Sequence, residues 1–77
     1  MKEILETIIK SLVQDIDSVI ITEKEDEKGL LFEVKVANSD MGKVIGKQGK
    51  VAKSIRTVMK SIAGKEHKRV SIEFLED

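Results

Sequence analysis

A chain of 77 residues, 40% hydrophobic and 36% charged, has room for a single domain spanning 1–77 with one modest core. It contains no cysteine, which excludes disulfide staples and thiolate metal sites, and Glu3, Glu6 and Lys10 break up the N-terminal apolar positions, which excludes a signal-peptide core or a membrane span there. Net charge is zero but divided: residues 1–27 carry a balance of −5, whereas Lys43, Lys47, Lys50, Lys53, Arg56 and Lys60 against Asp40 alone give 40–60 a balance of +5. A polyanion responds to the local field and not to the sum, so a nucleic-acid partner stays open and a cytoplasmic location is expected.

The first element is an amphipathic helix over about 2–15. Ile4, Ile8, Leu12 and Ile16 recur at i+4, with Leu5, Ile9 and Val13 alongside, forming one apolar stripe. Val19, Ile20, Ile21 and Thr22 are β-branched and predict a strand, and the charged run Glu23 to Lys28, closed by Gly29, reads as its polar end plus a hairpin turn. Leu30, Phe32, Val34 and Val36 alternate with Leu31, Glu33, Lys35 and Ala37, the pattern of a strand with one buried face. Asn38, Ser39 and Asp40 are N-cap candidates for a short helix, Met41 to Ile45. After Gly49 a longer helix begins, with Val51, Ala52, Ile55, Val58, Met59, Ile62 and Ala63 within a sector of about 140° and Gly64 placed to end it. Val70, Ile72 and Phe74 alternate with Ser71, Glu73 and Leu75 as a last strand. The order α-β-β-α-α-β predicts a two-layer α+β domain: a three-stranded sheet with three helices on one face.

Between the two middle helices stands Gly46-Lys47-Gln48-Gly49, preceded by Val44 and Ile45. Two glycines around a two-residue tip let backbone approach a ligand closely, and the next helix aims its free N–H groups and positive dipole end at that turn. Both features favour a phosphate oxygen. Lys47 adds a charge at the tip, and Lys43, Lys50, Lys53 and Arg56 extend the field along the flanking helices.

The whole pattern resembles the KH family in its type II order. The stretch Gly42 to Gly49, with Ala52, Ile55 and Arg56 after it, is similar to the small bacterial KhpA-type RNA-binding proteins, and the resemblance covers essentially all 77 residues. Many KH domains carry a larger aliphatic residue where this chain has Ala52, a departure compatible with the KhpA-like group. The resemblance implies a regulatory or chaperone-like protein that binds single-stranded RNA. Its GxxG loop clamps the sugar–phosphate backbone while about four bases lie in an adjacent groove. Carried onto this chain, Gly46, Lys47, Gln48 and Gly49 are the clamp, and Val44, Ile45, Ile55 and Val36 contribute to the groove floor. It also implies a homodimer, a heterodimer with a larger KhpB (Jag) type KH protein, or both. No cofactor is implied.

Other readings fit less well. A P-loop needs four residues between its glycines and Ser or Thr after the lysine, whereas Gly42 and Gly46 enclose three and Gln48 follows Lys47. The spacing of Gly42, Gly46 and Gly49 also fails the dinucleotide GxGxxG, so no enzyme is expected. His67 is the single histidine and has no sulfur or nitrogen ligand partners for a metal; Asp15 and Asp17, or Glu25 and Asp26, read as solvated turns. Chain-wide, the aromatics are Phe32 and Phe74 alone, both expected on buried strand faces, so stacking platforms are expected to be absent and binding to be backbone-directed. The alternative is a protein-interaction module without an RNA role, motivated by the apolar breadth around Ile55, Met59 and Ile62.

Overall fold

A computed structural model describes residues 1–76. The element order is α1 (Lys2–Leu12), β1 (Ile20–Asp26), β2 (Gly29–Lys35), α2 (Met41–Ile45), α3 (Lys50–Lys65) and β3 (Val70–Phe74). Short 3₁₀ turns occupy Ile16–Ser18, Asn38–Asp40 and Lys47–Gly49. The strands form one sheet in the order β1-β2-β3. β1 and β2 are an antiparallel hairpin, Ile20 opposite Lys35, and β3 joins β2 in parallel, Leu30 opposite Val70. A parallel neighbour requires a crossover, and the α2–α3 pair supplies it.

One face of the sheet is covered. Ile21, Leu30, Phe32, Val34, Val70 and Ile72 join Leu5 and Ile9 of α1, Val44 of α2, and Ile55, Met59 and Ala63 of α3 in a single buried cluster. The alternate residues Leu31, Glu33, Lys35, Ser71 and Glu73 keep some or all of their exposure on the other face. The alternation of β2 is therefore as predicted, and that of β3 as far as Ile72, and the domain is the expected two-layer α+β fold. The hairpin turn closes on Asp26, whose Oδ1 accepts the N–H groups of Lys28 and Gly29 at 2.7 and 3.1 Å.

Several local expectations are corrected. The first helix stops at Leu12 and not near 15, because Val13 is extended and the carboxylate of Asp40 takes the next two N–H groups, Gln14 at 3.1 Å and Asp15 at 2.9 Å. Its buried row is Leu5 and Ile9, continued by Val13 beyond the helix, while Ile4 and Ile16 stand exposed. For the same reason Asp40 does not cap α2 with its side chain. It is the one buried charged residue of the described chain, and it ties the end of α1 to the start of α2.

Gly64 does not end α3. The helix runs through it to Lys65, and the left-handed residue is His67, at φ 57°. The N–H of Lys68 reaches the carbonyl of Ala63 at 2.9 Å and that of His67 the carbonyl of Gly64 at 3.1 Å, a Schellman closure with His67 where glycine usually stands. The buried row of α3 is also narrower than its apolar sector: Ala52, Ile55, Met59 and Ala63 are buried and Val58 is exposed.

Candidate nucleic-acid interface

The loop 46–49 joins α2 to α3 with almost no slack. Gly46 has φ 77° and ψ 172°, a region that side chains essentially never enter, and its N–H closes on the carbonyl of Gly42 at 2.8 Å. A Cβ built there meets Cγ2 of Val51 at 2.4 Å and the backbone N of Val51 at 2.8 Å, so the first turn of α3 is pressed onto this glycine. Gln48 (φ 59°) and Gly49 (φ 73°) are both left-handed, and a Cβ at Gly49 meets nothing within 4 Å. One glycine is needed for contact and the other for conformation alone. Both lie within a loop whose tip residues, Lys47 and Gln48, are exposed.

Gly49 is the N-cap of α3 and offers no side chain to the helix's first N–H groups. A helix of 16 residues thus begins without a side-chain cap and turns its positive end toward the glycine loop, where the N–H groups of Gly49 and Lys50 already bond to the carbonyls of Gly46 and Lys47. No acidic side chain stands in the first turn to neutralise that end. Lys47, Lys50 and Lys53 are exposed around it, and among the described residues none of the three is in an ion pair. The structure brings these four backbone positions and three lysines together as one cationic corner.

Lys43 and Arg56 are placed differently. Lys43 extends from α2 to Oδ1 of Asp40 at 3.2 Å and to Oε1 of Gln14 at 3.4 Å, so part of its charge is spent inside the domain. The carboxyl of Asp40 is held below its ordinary value of 3.8, chiefly by the N–H of Asp15 and then that of Gln14, with Lys43 adding to both against the opposing effect of burial. Arg56 donates from Nε to the carbonyl of Ile72 at 3.2 Å and lays its guanidinium 5.3 Å from the ring centre of Phe74. It therefore bridges α3 to the open edge of β3.

The expected groove floor is only partly available. Val36, Val44 and Ile55 are buried in the core and support the surface from beneath. Ile45 keeps part of its side chain open. In their place the structure supplies Phe74, which sequence alternation put on a buried face. Phe32 is fully buried as expected, but Phe74 is half-buried at the last position of β3, where no further sheet covers it. Its place at the strand end is the signal that could have found it. Among the described residues no group of three or more His, Cys, Asp or Glu is arranged to hold a metal, and no helix is long and apolar enough to cross a membrane.

Residues 2–74 match the family model described as KhpA/KhpB, KH domain. The RNA-binding protein KhpA of Clostridium acetobutylicum is 56% identical over 75 residues, covering 97% of this chain and 100% of the relative. The RNA-binding protein KhpA of Caldanaerobacter subterraneus subsp. tengcongensis is 48% identical over 75 residues, with the same two coverages. That of Aquifex aeolicus is 45% identical over 76 residues, covering 99% of this chain and 96% of the relative.

Proposed function

This chain belongs to the KhpA/KhpB KH-domain family, and from that premise we propose that it binds single-stranded RNA in the cytoplasm as a regulator or chaperone, without a catalytic step. The observation that carries the reading is the cationic corner: the glycine loop 46–49 with left-handed Gln48 and Gly49, the uncapped start of α3, and the unpaired Lys47, Lys50 and Lys53. A helix start without a side-chain cap, backed by mobile positive charge, suits phosphate oxygens and carries no preference among bases. The backbone passes over Gly46 to Gly49, and the bases turn toward Ile45 and the strip between α3 and β3.

At that strip Arg56 and Phe74 offer a planar cation on an aromatic ring. Unstacked bases pack on both kinds of plane. Binding by one domain is weak and salt-sensitive, because most contacts fall on phosphates. Two domains in one particle, either a second copy or a KhpB-type partner, raise affinity through effective concentration.

Fluorescence anisotropy with single-stranded RNA over a salt series tests this, comparing the wild type with Lys47→Asp/Gln48→Asp. Both side chains are exposed, and among the described residues neither makes a hydrogen bond or ion pair, so the variant keeps its circular dichroism and melting behaviour while losing most binding. Unchanged affinity in a folded variant removes the loop from the mechanism.

A further inference from the structure

A second cationic feature lies at the far end of α3. A cavity of about 340 Å³ opens there between Lys60 of α3, Lys68 and Arg69 of the following turn, and Val70 and Ser71 of β3. The three cations are exposed or half-exposed at their tips, and among the described residues none is in an ion pair. β3 is an edge strand. Arg69 and Leu75 bond toward β2, so by alternation Val70, Ile72 and Phe74 turn their backbone groups outward, and Arg56 takes the carbonyl of Ile72 from that side.

A row of cations on α3 links this cavity to the cationic corner. Lys53, Arg56 and Lys60 follow one another at i+3 and i+4, which places them along one side of α3. Lys60 lies about 15 Å along the helix from Lys50 at 1.5 Å per residue. A positive lane therefore runs from the glycine loop, past Arg56 on the β3 edge, to Lys60, Lys68 and Arg69. It also has an end. An adjoining cavity of about 350 Å³ shares Lys68 and Arg69, but there Glu25, Asp26 and Glu27 of the β1–β2 hairpin offset the charge of Lys28, Lys68 and Arg69, and the net attraction for a phosphodiester ends.

We infer that Lys60, Lys68 and Arg69 form a second phosphate subsite that receives the same RNA strand after it leaves the groove beside the loop. This rests on the RNA reading above and deepens it: the footprint exceeds the four nucleotides that the loop and groove accommodate, and the acidic hairpin sets its limit. The ligand chemistry is a phosphodiester oxygen held by mobile cations, with the Val70 N–H and the Ser71 hydroxyl as the neutral donors at the rim.

Oligouridylates of four and eight nucleotides distinguish the two sites, using anisotropy for affinity and amide chemical shifts for location. The variants are Lys60→Ala/Lys68→Ala/Arg69→Ala and the milder Lys60→Gln/Lys68→Gln, with Lys47→Asp/Gln48→Asp as the reference for the loop. For single strands each phosphate contact contributes about 0.7 to the slope of log affinity against log salt, a factor of about 5 between 1 M and 0.1 M. The triple variant is expected to bind the eight-mer about 5- to 25-fold more weakly at 0.1 M salt, with a shallower slope, while its four-mer affinity changes by less than about twofold. In the wild type, the amides of Lys60, Lys68 and Arg69 move with the eight-mer and stay still with the four-mer.

Equal eight-mer binding by wild type and folded triple variant overturns the subsite. So does an equal loss on both lengths, which shows a uniform field effect. Failure of the wild type to bind either oligomer removes the RNA reading itself. Normal binding by the loop variant together with loss in the triple variant removes the clamp and leaves the subsite standing.

Discussion

Replacing Gly46 with alanine sets a methyl group against Val51 Cγ2 at 2.4 Å and against the Val51 backbone N at 2.8 Å. The side-chain contact can be relieved by a small shift, whereas the backbone contact moves the first turn of α3. The residue must also hold φ 77° and ψ 172°, where a side chain costs about 1–3 kcal/mol, and overpacking adds about 1–3 kcal/mol more. Gly49→Ala keeps the left-handed cost alone, roughly 1–2 kcal/mol, since its Cβ meets open space. The two glycines of one loop should therefore differ by about 2 kcal/mol in stability. In urea unfolding with a slope of about 1 kcal/mol/M, that is a midpoint difference of roughly 2 M, with the slope itself unchanged. A domain of this size holds about 4–12 kcal/mol in all, so Gly46→Ala takes a large share. Val51→Ala placed on top of Gly46→Ala removes Cγ2 and should return part of the loss as a favourable coupling, while the strain in φ and the approach to the Val51 N remain. Equal midpoints for Gly46→Ala and Gly49→Ala, or no coupling to Val51, would refute the contact argument.

Asp40→Asn should lower the melting temperature at neutral pH, because an amide cannot accept from Asp15, Gln14 and Lys43 together. The carboxyl is depressed in the folded state, so its contribution is fully present above the ordinary value of 3.8 and fades as pH falls through the lower folded value. The difference between wild type and variant should accordingly shrink below pH 4 in melts recorded from pH 7 downward; a gap that stays constant with pH refutes it. At the end of α3 the expected signs are favourable. Gly64→Ala fills open space inside the helix and should add roughly 0.5–1 kcal/mol, and His67→Gly relieves a left-handed residue by about 1 kcal/mol, both read from urea midpoints.

Period and spacing were enough to read the layers. Leu30, Phe32, Val34 and Val36, and then Val70 and Ile72, face the core as alternation demands, and the α2–α3 crossover follows from two strands that must lie parallel. What periodicity does not carry is the destination of a polar side chain. Asp40 reads as a helix cap, since it precedes α2, yet its partners are 25 and 26 residues away at the end of α1. Lys43 and Arg56 read as two more charges in a basic run, but one pairs with that carboxylate and the other with the edge of β3. Gly64 reads as a helix stop because glycine often is one, whereas hydrogen bonding put the left-handed turn three residues later at His67. The destinations of Asp40 and Arg56 depend on contacts between separate elements, which local pattern does not encode.

The loop was legible for a different reason: the requirement is backbone geometry, and glycine is how a sequence writes it. Gly46 and Gly49 announce a tight turn, but only the structure divides their roles, one against Val51 and one into open space. That division bears on function. A glycine pressed onto α3 fixes where the helix begins, and so fixes its positive end and the lysines around it. The glycine in open space leaves the outer surface of the turn bare, at the point where a phosphate would sit. Rigidity beneath and bareness above are what a backbone clamp needs. On the proposed reading, base recognition is left to Ile45 and to the Arg56–Phe74 pair, a narrow surface beside a row of cations. Affinity in such a protein grows with the number of phosphates engaged, and discrimination among sequences grows with the number of domains brought to one strand.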